Sequence, residues 1–158
     1  MTESGKTTLA KQLARIYRSQ KLGVIVLDPM NDPEWDADYK SDNNEEFLSV
    51  VKNSESCHVF VDEAGDAIGR YDVVMQQLAT KFRHFGHSCY FITQRGAQLS
   101  ATIRAQCRHL FLFTSAADDC KTLAREYNQP ELLTANNLPQ GHYFHAARFA
   151  QLQRGQLW

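Results

Sequence analysis

Residues 4–8, Ser4-Gly5-Lys6-Thr7-Thr8, match the second half of the phosphate-binding pattern G-x-x-x-x-G-K-[ST]. In such a loop the backbone N–H groups point at a β-phosphate from the start of a helix, whose dipole also favours an anion. Lys6 neutralises charge on the phosphates, and the Thr7 hydroxyl is a ligand for Mg²⁺. The motif therefore predicts that these five residues bind ATP with Mg²⁺. A chance match at an ordinary helix start is the alternative.

A second motif lies after the apolar segment 58–61, which is followed directly by Asp62 and Glu63. The apolar run indicates a buried strand, and ligands of α/β sheets bind beyond the carboxyl ends of the strands. Asp62 would hold the Mg²⁺ shell through a water, opposite Thr7, and Glu63 would polarise a water for attack on the γ-phosphate. A glutamate directly after the metal-side aspartate favours hydrolysis over transfer to a substrate hydroxyl. A solvated acidic turn is the alternative for this motif taken by itself.

A third motif, Thr93-Gln94-Arg95, follows the next apolar segment. At the end of a neighbouring strand, the Gln94 amide can touch the γ-phosphate or the attacking water. It would then report hydrolysis to the rest of the molecule by gaining or losing that hydrogen bond. A plain turn before Gly96 is the alternative.

The segments around these motifs predict alternating helices and strands, the pattern of an α/β protein with a parallel sheet. Helical spacing of apolar residues predicts helices over residues 7–20, 45–52, 71–85, 97–106 and 118–127. Apolar runs predict strands over residues 24–27, 58–61, 89–93 and 109–114, with a final strand or hairpin over 141–149. Residues 30–44 and 130–139 are expected to be irregular. Gly86 is expected to end the third helix, and Asp119 or Ser115 to cap the last one.

The composition indicates a single soluble domain of 158 residues, 43% of them hydrophobic. A net charge of −1 gives no overall basic signal, so contacts with nucleic acid have to come from a local patch. The cysteines form no C-x-x-C pair, which is typical of free thiols in a reducing cytoplasm. No apolar stretch approaches the roughly 20 residues that a membrane span needs. We therefore expect a cytoplasmic protein.

An ordered set of strand-end motifs resembles the FtsK–HerA group of P-loop translocases. The set consists of Asp28-Pro29, Val61-Asp62-Glu63, and Gly86-His87 followed through a strand by Ile92-Thr93-Gln94-Arg95. Within that group the chain is most similar to the small genome-packaging ATPases of tailless, membrane-containing viruses. The resemblance implies a RecA-like (ASCE) ATPase motor domain over residues 1–158, with a mainly parallel central sheet flanked by helices. It also implies a ring, often a hexamer, that pumps double-stranded DNA with ATP.

The resemblance further implies the roles of the motif residues and the setting of the protein. Lys6 and Thr7 bind phosphate and Mg²⁺, Asp62 and Glu63 are the metal-side acid and the catalytic glutamate, and Gln94 is the sensor. A capsid vertex or a membrane protein would be a further partner. The chain would act in the host cytoplasm or be associated with the virion.

Ring ATPases of this group complete each site with an arginine from the neighbouring subunit, which stabilises charge on the transferred phosphoryl group. Arg108, just before the predicted fourth strand, lies where the similar translocases place such a residue. Arg104 would share a helical face with Arg108 at i and i+4. Arg83, in a basic helix end, is the third candidate. A solvated arginine or a phosphate contact is the alternative for each.

DNA contacts are expected from a local basic cluster, because a packaging motor grips backbone phosphates without reading bases. The compact cluster of the sequence is Lys81, Arg83, His84 and His87, and Arg70 precedes the same predicted helix.

The first glycine of the phosphate-binding pattern would fall one position before Met1, and no apolar strand precedes the loop. In RecA-like sheets that strand lies between the strands that end here at Gln94 and Thr114. We therefore expect a chain that begins inside the motif and lacks its central strand, with unpaired N–H and C=O groups on both sides of the gap.

Two other functions remain open at this point. One is an assembly or secretion ATPase like those of filamentous phages, which carry a membrane anchor. The other is a small-molecule kinase, which would need an arginine-rich lid that residues 96–100 do not offer.

Overall fold

The described residues form two β-sheets, one in each of two units. The computed structural model describes residues 4–64 and 72–158, with only the backbone for residues 72–75. Thr7–Thr93 form one unit, which we call the parallel unit. Met1–Lys6 and Gln94–Trp158 together form the other, which we call the antiparallel unit. The interpretation of residues 1–158 as one motor domain stays a prediction.

The parallel unit contains a four-stranded sheet in which every neighbouring pair of strands is parallel. The strands are β1 (Val24–Leu27), β2 (Tyr39–Ser41), β3 (His58–Val61) and β4 (Ser88–Phe91), and their order across the sheet is β2-β1-β3-β4. All of β1 and most of β3 are buried, as expected for continuous apolar runs in a parallel sheet. Leu27 is in register with Val61, so the carboxyl ends of β1 and β3 lie side by side.

Helices α1 (Lys6–Ser19), α2 (Asn44–Lys52) and α3 (Asp72–Thr80) accompany this sheet along the chain. Small residues of α1, Ala10 and Ala14, belong to the core cluster that also contains Val26 and Phe60. Helix α3 ends at Thr80, earlier than the predicted residue 85, and a separate 3₁₀ turn over Phe82–Phe85 is capped by Gly86 at φ +78°. None of the helices in the described residues is long and apolar enough to cross a bilayer.

The antiparallel unit contains a three-stranded sheet with both pairs antiparallel. Its strands β5 (His109–Leu112), β6 (His142–Ala147) and β7 (Gln153–Gln156) lie in that order. Helices α4 (Ala101–Gln106) and α5 (Ala117–Tyr127) belong to the same unit, and a 3₁₀ helix covers Pro130–Asn137. The core of the unit is a cluster formed mainly by apolar residues of β5, β6, α5 and this 3₁₀ helix, among them Leu112, Leu123, Leu132 and Phe144.

The predicted fold class, an α/β protein with a parallel sheet flanked by helices, is confirmed, but several local predictions are wrong. Strand β2 lies within the segment expected to be irregular; it was missed because Tyr39–Ser41 is a short, half-buried edge strand without an apolar run. Residues 130–137 form a 3₁₀ helix rather than an irregular segment. Strand β5 is antiparallel to its neighbour, since it pairs with β6. Helix α5 starts after Ala116 with no side-chain cap.

Helix α4 ends before Arg108, because Cys107 already has an extended backbone at φ −80° and ψ 112°. Arg104 and Arg108 therefore do not share a helical face, contrary to the prediction. In the described part of the chain, β4 and β5 are the end strands of their respective sheets.

Candidate functional site

The carboxyl end of β3 brings together the two predicted Mg²⁺ ligands of the parallel unit. Asp62 is buried, and its Oδ1 lies 3.5 Å from the Thr7 hydroxyl oxygen. The same Oδ1 accepts the backbone N–H of Glu63 at 3.0 Å. Because 3.5 Å is long for an O–H···O bond, both oxygens are available to a shared ligand.

A second buried carboxylate, Asp28, lies at the end of the neighbouring strand β1. It is 1% exposed and accepts the backbone N–H groups of Met30 and Asp32. Burial raises the pKa of Asp62, and the charge on Asp28 raises it further, against hydrogen bonds that favour the ionised form. Hard oxygen donors with excess negative charge fit a divalent cation such as Mg²⁺. Sequence reasoning noticed Asp28 but assigned it no role, although it follows an apolar strand as Asp62 does.

Glu63 occupies an unusual backbone position. Its φ of +52° lies in the left-handed region, which non-glycine residues rarely adopt. Such positions persist where the surroundings hold them and are concentrated at active sites. The turn is held by the next residue, because the Ala64 N–H donates to the Ile92 carbonyl at 2.7 Å. A strained acid at a strand end is thus a catalytic candidate in its own right.

An ion cluster fixes the helix that carries Thr7. Lys11, one turn further along α1, is paired with Asp32 and, at 2.9 Å, with Glu34. Burial lowers the pKa of Lys11, but the hydrogen bonds to these two acids outweigh burial, and the net shift is upward. The cluster therefore ties the first turns of α1 to the loop after β1, in which Asp28 organises the backbone.

The antiparallel unit contains Ser4, Gly5 and Lys6, the first residues of the predicted phosphate loop. Ser4 and Gly5 are buried, and the Ser4 Oγ has no hydrogen-bond partner among the described residues. A buried hydroxyl in this position is available to a ligand oxygen. Lys6 Nζ lies 3.5 Å from the backbone carbonyl of Gln94, so these two predicted site residues are brought together.

The arginine candidates differ sharply in their surroundings. Arg104 donates to both carboxylate oxygens of Glu126, with the shortest bond at 2.8 Å, and also to the Leu99 carbonyl. The hydrogen bond with Glu126 raises the pKa of Arg104. Arg108 is exposed, and within residues 4–64 and 72–158 its side chain makes no hydrogen bond or ion pair. The Arg104 side chain is thus bonded to Glu126 of the same chain, whereas the Arg108 side chain is available to a partner subunit.

Sequence reasoning missed the partner of Arg95. Asp119, 2% exposed, receives the Arg95 guanidinium in two hydrogen bonds of 3.2 and 3.4 Å. Asp119 therefore serves as a buried counter-ion rather than as the helix cap that its sequence position indicates. The only available signal was its place in the first turn of α5, which suits either role.

One residue of the predicted DNA-binding cluster in the parallel unit, His87, does not lie on the surface. His87 is buried; its Nδ1 accepts the Cys57 N–H at 3.1 Å, and its Nε2 bonds with the Val51 carbonyl at 2.9 Å. Both ring nitrogens are therefore used in the core, and the prediction that His87 contacts DNA is wrong. Lys81, Arg83 and His84 are exposed. Arg70 lies outside the described residues.

Asp62→Asn is expected to raise the thermal midpoint of the protein without metal or nucleotide, on the order of a few degrees. The raised pKa of Asp62 means that the folded state holds this proton more tightly than the unfolded state. Stability therefore falls as the pH rises from the ordinary carboxyl range through that raised pKa. An asparagine removes the buried charge and can still accept the Glu63 N–H.

Thermal unfolding at neutral pH, with and without Mg²⁺ and a nucleotide analogue, measures this effect. Asp42 is exposed, and Asp42→Asn is the matched control that should leave the midpoint unchanged. The wild type should gain stability from Mg²⁺ with nucleotide, and Asp62→Asn should gain less. A lower midpoint for metal-free Asp62→Asn would contradict the prediction.

Solved structures of a viral packaging enzyme share this fold. The genome-packaging NTPase B204 of Sulfolobus turreted icosahedral virus 2, in complex with AMPPCP, matches with a TM-score of 0.76 and 15% identity over 98% of this chain and 93% of that one. B204 of Sulfolobus turreted icosahedral virus, described as a DNA-packaging ATPase, matches with a TM-score of 0.74 and 15% identity over 98% and 92%. The complex of the former with ATP-γS gives 0.74 and 14% over 98% and 93%.

The chain therefore has the fold of these P-loop packaging enzymes, and the resemblance found in the sequence is confirmed at the level of the fold. No protein-family model matches the chain, and no curated protein does.

Proposed function

We propose that this chain is an ATP-hydrolysing DNA translocase that packages a viral genome. The observation that carries the proposal is the group at the end of β3: the Thr7 hydroxyl 3.5 Å from a buried Asp62, followed by a strained Glu63. The three residue types are those that a P-loop hydrolase needs at the end of this strand. The structural likeness to B204, whose solved complexes hold ATP analogues, supports the same reading.

In the proposed site the phosphate loop binds the nucleotide. The amides of residues 4–8 and the helix dipole of α1 attract the phosphates, and Lys6 neutralises their charge. Thr7 and Asp62 would hold Mg²⁺, and the charge of Asp28 would add to the negative charge of Asp62. The metal ion, when bound, offsets charge on the β- and γ-phosphates.

Glu63 orients a water for in-line attack and accepts its proton. The turn from Asp62 to Ala64 fixes the backbone of this acid, so little reorganisation is needed during the reaction. Gln94 senses the γ-phosphate. The products are ADP and free phosphate, since Glu63 activates water.

We also propose that the subunits form a ring, with six subunits as in many ring ATPases of this kind. In this ring Arg108 of one subunit completes the site of the next. Arg108 is preferred to Arg104 because Arg104 would first have to leave Glu126. Exposed Lys81 and Arg83, together with Arg70, are proposed to contact the phosphates of double-stranded DNA without reading its sequence. A capsid vertex or a membrane protein is the proposed docking partner, in the host cytoplasm or on the virion.

Release of phosphate from ATP, with and without long duplex DNA, tests the proposal. Hydrolysis that depends on Mg²⁺ and increases several-fold with DNA is expected, and the increase should fall steeply with salt because phosphate contacts release counterions. Labelled γ-phosphate that appears on a nucleoside rather than as free phosphate would identify a kinase instead. Hydrolysis that does not respond to DNA would support the proposed ATPase activity but contradict the proposed DNA translocation.

A further inference from the structure

The C-terminal segment of the antiparallel unit packs directly on the phosphate loop. The Gly141 N–H donates to the Ser4 carbonyl at 3.3 Å, and the Leu157 N–H donates to the Gly141 carbonyl at 3.0 Å. A Cβ placed on Gly5 would lie 2.6 Å from a methyl group of Leu157 and 3.5 Å from the indole of Trp158. Residues 157–158 therefore form one wall beside the loop.

Trp158 is held on one side and open on the other. A Cβ placed on Gly141 would meet three atoms of the indole at 2.7–3.1 Å, so the ring rests against this glycine. Gly141 has φ +78°, and any other residue there would be both strained and in conflict with the ring. Even so, Trp158 is 58% exposed, whereas Trp35 is 7% exposed.

A large exposed aromatic ring fixed beside a phosphate loop suits one ligand chemistry in particular. A nucleotide whose phosphates lie on the amides of Gly5 and Lys6 carries its base within one nucleoside length of the loop. Every nucleobase has a flat π-face, and stacking on an aromatic side chain adds affinity with little regard to base identity. The Trp158 indole supplies such a surface beside Gly5.

We propose that Trp158 is the base-stacking residue of the nucleotide site, contributing affinity to ATP and GTP alike. The proposal rests on the proposed nucleotide binding. It concerns the base, which is the part of the nucleotide that the phosphate motif does not contact. It also implies that Trp158 does not discriminate between the two purines. Preference for adenine or guanine would then come from hydrogen bonds to the base edges.

Calorimetry with the β,γ-methylene analogues of ATP and GTP and with inorganic tripolyphosphate tests this inference. Trp158→Ala should weaken binding of both analogues by about 5- to 150-fold and leave tripolyphosphate binding unchanged. Trp158→Phe should retain most of the affinity, because a smaller aromatic face remains. Leu133→Ala, a half-exposed apolar residue of the same unit, is the matched control and should bind like the wild type.

Tryptophan fluorescence gives a second readout that does not depend on affinity. Emission of the wild type should change with the ATP analogue but not with tripolyphosphate. The change should disappear in Trp158→Phe, where Trp35 alone reports. Unaltered analogue binding by Trp158→Ala overturns the inference, and so does an equal loss for tripolyphosphate, because Trp158 would then only support the loop. A wild type that binds tripolyphosphate and neither analogue also overturns it; one that binds none of the three overturns the proposed function as well.

Discussion

Glu63→Gln is expected to lower steady-state ATP hydrolysis by at least about 100-fold while ATP still binds. Glutamine has nearly the same shape as glutamate, but its amide cannot accept the proton of the attacking water. The backbone at φ +52° should be kept, because the Asp62 carboxylate and the Ile92 carbonyl hold the turn through main-chain N–H groups. The loss should therefore appear in the turnover rate and not in the affinity for nucleotide.

Phosphate release with and without duplex DNA measures turnover, and calorimetry with an ATP analogue measures binding. Glu55→Gln, an exposed glutamate of the same unit, is the matched control and should hydrolyse ATP like the wild type. Unchanged DNA-stimulated turnover in Glu63→Gln would show that another group activates the water. A parallel loss of binding would mean that the change disturbed the fold of the turn rather than the chemistry.

Lys6→Ala and Arg108→Ala subunits are each expected to be inactive alone and to recover part of the activity when mixed. Lys6→Ala lacks the cation that we propose binds the phosphates, and an arginine supplied in trans contributes about 1,000-fold or more to the rate of such enzymes. In a mixed ring, an Arg108→Ala subunit supplies an intact phosphate loop and its Lys6→Ala neighbour supplies an intact arginine. At equal amounts about a quarter of the interfaces are of this restored kind in a symmetric ring with random order.

Turnover at a series of mixing ratios measures this complementation. Arg125→Ala, an exposed arginine of the same unit as Arg108, is the matched control and should remain active by itself. Arg104→Ala should instead lower the unfolding midpoint, because Glu126 would lose its partner inside the chain. Absence of recovery at every ratio, with mixed rings shown to form, would refute the role of Arg108 in trans.

The positions of the chemical groups along the chain could be predicted from local signals. The apolar runs before Asp28 and Asp62 predicted buried strands, and in the structure both acids do lie at the carboxyl ends of such strands. Gly86 stops the helical segment as expected, because its left-handed backbone suits glycine, although the segment before it is a 3₁₀ turn and not the end of α3. These predictions held because burial and backbone preference are decided within a few neighbouring residues.

The exposure and bonding partners of individual side chains could not be predicted in the same way. Arg104 and Arg108 are both candidates in the sequence, and only the structure shows that Glu126 of another helix engages Arg104. The sequence predicts that His87 belongs to a basic surface. In the structure it is buried, and its ring hydrogen-bonds with the main chain of Cys57 and Val51. Both outcomes depend on partners that are distant along the chain.

The sequence by itself determined the class of fold and the order along the chain of the residues predicted to bind phosphate, to hold metal and to act in catalysis. This was possible because an α/β sheet places whatever follows an apolar strand at one edge. Only the tertiary structure decided that Asp28 lies beside Asp62, that Arg108 is available, and that Trp158 rests next to Gly5. Such contacts join segments far apart in the chain, and their energies come from packing and desolvation that no local pattern encodes.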